Sequence, residues 1–227
     1  MTARALQRLE ALLTGIYDLD IGCRVEDFLV TDRQQLPGEC RDAPGDEQLF
    51  VSAVGDELCI SLYLDPALLE RLDRHDPSER LDQENLADCW TALEGISHFL
   101  CVAHHAGHDW PVSRETLEMQ AEIDKYVASV ALLRRTHPRR FPAELHGLLF
   151  RRARVNPALA GRHESLYRRA SRLAARFCAR LEPQVREDCR GRDGGWLREL
   201  RRFYRLGEAA KRRHIERQPS SARLCVT

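Results

Sequence analysis

No stretch of this 227-residue chain approaches the ~18 consecutive apolar residues that a membrane-spanning helix needs. The longest uncharged run, Gly95 to His108, carries three histidines before its last residue. An apolar signal core is lacking as well, because Arg4, Arg8 and Glu10 fall where a secretory leader would hold one, and a cytoplasmic location is expected. The eight cysteines include no CxxC pair, which excludes a zinc ribbon, and their scatter through apolar segments argues for free thiols rather than a disulfide framework. With 13 glycines, ten prolines and no internal repeat, collagen-like and low-complexity architectures are excluded. Lysine is almost absent, arginine supplying 33 of the 35 basic side chains. There is no GxSxG elbow, no glycine-rich phosphate loop, no zinc finger and no RNP-type aromatic motif.

What is present is enough apolar surface to fold, 43% of residues, and an unusual distribution of charge. Formal charges cancel at 35 basic against 35 acidic residues. Up to Leu132, however, ten basic residues face 26 acidic ones, a net of −16, and the remainder carries 25 basic against nine acidic, a net of +16. Such poles can bind each other, associate subunits head to tail, or meet an anionic partner.

Leu6, Leu9, Leu12 and Leu13 place a short amphipathic helix over residues 3–17. Glu26–Asp32 reads as a strand, and 49–54 with 57–64 flank Gly55-Asp56, which is turn chemistry between β-rich runs; a three-stranded antiparallel sheet is expected. The polar segment 38–48 between them reads as an exposed loop. Beyond Pro66 the periodicity is helical over 66–74, 81–107, 112–136, 141–154, 163–185 and 195–217, with prolines and Gly194-Gly195 as punctuation and Ser113 as an N-cap. The expected fold is therefore α+β, a small amino-terminal antiparallel sheet followed by a mainly α-helical bundle. Residues 1–75 hold the first helix and sheet, and 76–227 the bundle, as one compact unit.

Helix 81–107 is apolar nearly all round, which marks a buried helix, yet Glu94, His98, Cys101 and His105 share a face, as do Glu115, Glu118, Glu122, Lys125 and Ser129 on the next helix. In an antiparallel hairpin turning near Trp110, His105 falls level with Glu115, His98 with Glu122, and Glu94 with Lys125 or Tyr126. Buried carboxylates and imidazoles are paired, protonation-shifted or metal-bound, because an unpaired buried charge costs several kcal/mol. Two readings follow: an ion-paired seam that fixes helix register, or an acid/base or divalent-metal site. The second would use Glu94, His98 and Glu122 catalytically, or Glu94, His98, Glu118 and Glu122 as ligands. A di-metal carboxylate site would need Glu-x-x-His pairs, whereas the spacing here is Glu94-x-x-x-His98. His104, His105 and His108 cluster at the helix end, and a Cys101 thiol in a buried helix is expected to be inert.

The carboxy-terminal helices hold Arg168, Arg169, Arg172, Arg176, Arg201, Arg202, Arg205, Lys211 and Arg212, candidates for a polyanion-binding surface, with Tyr167, Trp196, Phe203 and Tyr204 interleaved where they could stack on bases or belong to the core. Arg140-Phe-Pro-Ala-Glu-Leu-His146 resembles the arginine, four to six residues, histidine signature of the helical RNases and nucleotide-binding domains shared by higher eukaryotes and prokaryotes. It departs from that signature at Pro142, where the family has helix, and at Phe141, where the family has a polar residue. Together the sequence points to a non-catalytic binding or regulatory protein whose arginine-rich half contacts an acidic protein surface or nucleic acid. Self-association through opposite poles and an enzyme with its site in the Glu/His seam are the alternatives.

Overall fold

The computed structural model describes residues 4–36, 38, 41, 45–55, 57–151 and 164–216. The fold is α+β: a small three-stranded sheet near the amino terminus, then mostly helix. Helix α1 (Arg4–Tyr17) buries Leu6, Leu9, Leu13 and Tyr17. Strand β1 is only Leu29–Val30, because Asp27 and Asp32 draw the chain into 3-10 turns on either side: Asp27 accepts from the Arg24 amide and Asp32 from the Gln34 amide. β2 (Glu47–Val54) and β3 (Glu57–Leu64) form the expected antiparallel hairpin, with Gly55 at a φ of 61° in the turn. The sheet order is β1-β3-β2, and β1 runs parallel to β3, Leu29 level with Leu62, so the sheet is mixed rather than antiparallel throughout. Of the loop expected at 38–48, residues 39, 40 and 42–44 lie outside the described residues, and Glu47 and Gln48 belong to β2.

Helix α2 (Pro66–Arg74) starts where the sequence places it, capped by Asp65 with Pro66 in its first turn. α3 (Leu86–Ala106) begins five residues later than its periodicity suggests. The Asn85 side chain instead ties the preceding loop, donating to the His75 and Arg80 carbonyls and accepting from the Asp82 amide. α4 (Arg114–Thr136) is capped by Ser113, which accepts from the Thr116 amide. α5 (Leu145–Arg151) is shorter than 141–154, Pro142 delaying its start and 152–163 lying outside the described residues. α6 (Glu164–Cys189) runs through Pro183, whose missing N–H falls on the exposed side while Leu181 and Val185 stay buried. The single helix expected over 195–217 is two, α7 (Trp196–Tyr204) and α8 (Glu208–Glu216), turning at Leu206-Gly207.

One hydrophobic cluster extends from Ala5 in α1 to Ile215 in α8. α3 is its central element, with Leu93, Ile96 and Phe99 fully buried, and it lies across the sheet at Gly95. A Cβ there would come within 2.9 Å of both Leu62 Cδ1 and Glu47 Cγ. This close approach carries Glu47 up to the polar stripe of α3. Replacing Gly95 by Val should therefore lower stability by about 1–3 kcal/mol through overpacking, although Val is the better helix former; a lower urea midpoint with unchanged m-value is the expected result.

Candidate functional site

The hairpin of α3 and α4 has the anticipated register: Trp90 Nε1 donates to Ser129 Oγ at 3.0 Å, and Lys125 Nζ reaches Glu94 Oε2 at 2.6 Å. Lys125 also donates to Glu122 Oε1 at 2.9 Å, so its ammonium occupies the space between two carboxylates that were candidate metal ligands. Burial opposes its charge, but Glu94 and Glu122 outweigh that and raise its pKa. Burial pushes Glu94 up, and Lys125 with His98 overcomes this and holds it below the usual carboxylate range.

His98 lies beside Glu118 rather than Glu122. Its Nε2 is 3.8 Å from Glu118 Oε2, and its Nδ1 is 3.6 Å from Glu47 Oε1, a strand residue absent from the helical pattern. Burial disfavours the imidazolium, yet Glu47, Glu118 and Glu94 outweigh it and lift His98 to about 9. Glu118, pushed up by its own burial, is approached by Arg114 at 3.7 Å. Glu115 leaves the seam altogether. It is buried against Arg169 and Arg212, the latter at 2.6 Å, and does not meet His105. Among the described residues no group of three His, Cys, Asp or Glu is placed to hold a metal ion.

A second, deeper polar cluster lies behind the seam. Asp124, 1% exposed, accepts from Tyr17 Oη, from Ser97 Oγ at 2.6 Å and from Gln120 Nε2 at 2.8 Å. Gln120 Oε1 in turn accepts from Lys211 Nζ at 3.3 Å. Burial raises Asp124 to about 6, against the lowering effect of those three donors, and burial lowers Lys211. Lys211 has no exposed surface and sits over the rings of Tyr204 and Phe203 at 5.2 and 5.5 Å, so it is removed from the polyanion-binding set.

At the end of α3, His105 Nδ1 donates to the Cys101 carbonyl at 2.8 Å and is therefore no base toward Cys101 Sγ, 3.6 Å away. Burial pushes that thiol up to about 11, which leaves it inert. His104, lowered to about 4 by burial and by its neighbours His108 and His105, stays neutral against the Tyr204 ring.

The arginines divide into two groups. Arg201 donates to the Ile16 and Gly15 carbonyls and Arg205 to that of Asp18, so both fasten α7 to the end of α1. Arg180 does the same for the last carbonyls of α8, those of His214 and Ile215. Arg168, Arg169, Arg172 and Arg176 instead line the outer face of α6, where residues 165–181 hold five arginines and no acidic residue. Arg168 pairs with Glu164; among the described residues Arg172, Arg176, Arg202 and Arg213 are exposed and have no ion pair. Trp196, Phe203 and Tyr204 are buried at 5% exposure or less and belong to the core rather than to a stacking platform, and half-buried Tyr167 accepts a hydrogen bond from Arg114 at 2.8 Å. Arg140 is exposed ahead of α5, and His146 donates to the Ala175 carbonyl at 2.9 Å; the seven-residue signature is not presented on a helix. Arg152, Arg154 and Arg162 lie outside the described residues.

No protein-family model matches the chain, no curated protein matches it, and no solved structure matches it.

The residues that periodicity missed are Glu47, Ser97, Asp124, Tyr17 and Lys211. Lys211 was legible in one respect, standing four residues before buried Ile215 on the inner face of α8. The seam makes its own prediction. Because His98 is held near 9 in the folded chain against an ordinary 6.5, its stabilisation is complete below about pH 6.5 and is lost as pH rises through about 9. That loss amounts to at most about 3 kcal/mol. His98→Gln should be less stable at pH 6 and should flatten the decline between about pH 7 and 9, read by urea denaturation across pH.

Proposed function

We propose that the protein is a non-catalytic binding protein whose arginine-bearing face on α6, with the adjoining α8, docks on an acidic protein surface. One observation carries this reading: the two charge poles do not neutralise each other within the chain. Among the described residues, Glu115 is the single acidic residue before position 132 that pairs with an arginine of the basic half, through Arg169 and Arg212. On the α6 face, among the described residues, Arg168 pairs only with its neighbour Glu164, and Arg172 and Arg176 are left for something outside the molecule. Guanidinium suits carboxylate and phosphate alike, but the burial of Trp196, Phe203 and Tyr204 withdraws the aromatic surface that single-stranded nucleic acid would use. The Glu/His seam supports register rather than chemistry, since Lys125 already answers Glu94 and Glu122.

A labelled poly-glutamate peptide and a labelled random DNA duplex test the reading side by side. At about 50 mM salt the peptide should bind, with affinity falling steeply as salt rises through the Debye-screening range. Arg172→Glu with Arg176→Glu should weaken that binding about tenfold or more while the thermal midpoint holds, because both side chains are exposed and unpaired. Tighter binding of the duplex at matched salt would transfer the face to nucleic acid, and retention of neither probe would overturn the proposal.

A further inference from the structure

The two edges of the sheet are protected very differently. On the β1 side the edge is two residues long and closed by 3-10 turns before and after, which leaves little backbone to pair with. On the other side β2 is eight residues long, and β3 is its one strand neighbour among the described residues. From Gln48 to Val54 it has no charge, no proline and no glycine, so none of the usual devices that blunt an exposed edge is present.

The hairpin also outruns its cover. On the face turned to α3, Leu49 pairs with fully buried Leu62; one pair further along Val51 stands opposite Ile60, and the next pair brings in Leu58. Val51 is 46% and Leu58 43% exposed, the two most exposed large apolar side chains among the described residues. An apolar row that begins under α3 thus ends in solvent, beside a strand edge that no other described strand pairs with.

We propose that this edge is an interface between two copies of the chain, β2 pairing antiparallel with β2 of the second copy about a two-fold axis at Val51. The self-complementarity of the strand argues for this occupant. Val51 is the midpoint of the uncharged run, and an axis there sets Phe50 level with Ser52 and Leu49 level with Ala53 of the second copy. The flanking Glu47 falls level with Gly55, so no like charges meet within the span 47–55. Faces match as well as charges, because residues level in this register differ by an even number and the α3-facing rows of both hairpins become continuous. The product is a six-stranded sheet, β1-β3-β2-β2-β3-β1, with both ends closed by the short β1 strands. The proposal is independent of the arginine face on α6.

Sedimentation velocity on the full chain across about 1–100 μM, at about 50 and about 500 mM salt, tests it. A dimer at both salt concentrations is expected. Val51→Lys places two ammonium groups against each other and should raise the dimer dissociation constant about tenfold or more with an unchanged thermal midpoint, whereas Val51→Thr should retain the dimer. As a test that does not depend on the lysine variant folding, Val51→Cys in a Cys59→Ser background should give a disulfide-linked dimer on mild oxidation, since residues on the axis lie directly opposite each other. A monomer over the whole range would overturn the proposal, as would a dimer unaffected by Val51→Lys. A dimer present only at low salt would also overturn it, and would assign association to the opposite charge poles.

Discussion

Asp124 is a carboxylate sealed from water, and everything it needs must come from the chain. Its donors are Tyr17 from α1, Ser97 from α3 and Gln120 from its own helix, with Lys211 of α8 one bond further on. An unsatisfied polar atom at such depth costs about 1–3 kcal/mol, more when charged, so each of these helices is fixed in rotation as well as in distance. Apolar packing alone would tolerate α1 or α8 turned by a fraction of a residue. A tyrosine hydroxyl that must reach one oxygen, and an ammonium that must reach one amide, would not.

The same hairpin solves its polar problem in a second way nearer the surface. There Lys125 lies in direct contact with Glu94 and Glu122, and His98 is kept protonated between Glu47 and Glu118. The two clusters divide the α3–α4 interface between deep hydrogen bonding and shallow ion pairing, and Gly95 lets the sheet contribute Glu47 to the shallow one. With Glu94, Glu122 and Glu118 answered by Lys125, His98 and Arg114, and Glu115 by Arg169 and Arg212, the exposed Arg172, Arg176, Arg202 and Arg213 are left without an ion pair among the described residues. That is how a chain of zero formal charge keeps a strongly basic helix face.

The α+β order, the β2–β3 hairpin at Gly55, the start of α2 at Pro66, the cap at Ser113 and the placing of Glu94 level with Lys125 or Tyr126 were all legible in the sequence, because each rests on spacing along one element or a register between two neighbours. Other features depended on partners distant in the chain. His98 turned to Glu118 because a strand residue, Glu47, took its other side. Glu115 left the seam because α6 and α8 both supply it with arginines. Lys211 looked like part of an exposed Lys-Arg-Arg run, and only the break at Gly207 turns it inward. Parallel pairing of β1 was hidden for a simpler reason: two residues carry no periodicity.

The Asp124 cluster also sets an order of events. Tyr17 and Asp124 are 107 positions apart, Gln120 and Lys211 are 91 apart, and Arg205 ties back to Asp18 across 187. Contacts of such separation close late and slow the search for the native state. On a ribosome the acidic half is complete long before α8 emerges, and during that interval Gln120 has no lysine and Glu115 has neither of its arginines. Helix α8 therefore completes the polar core that α1 begins.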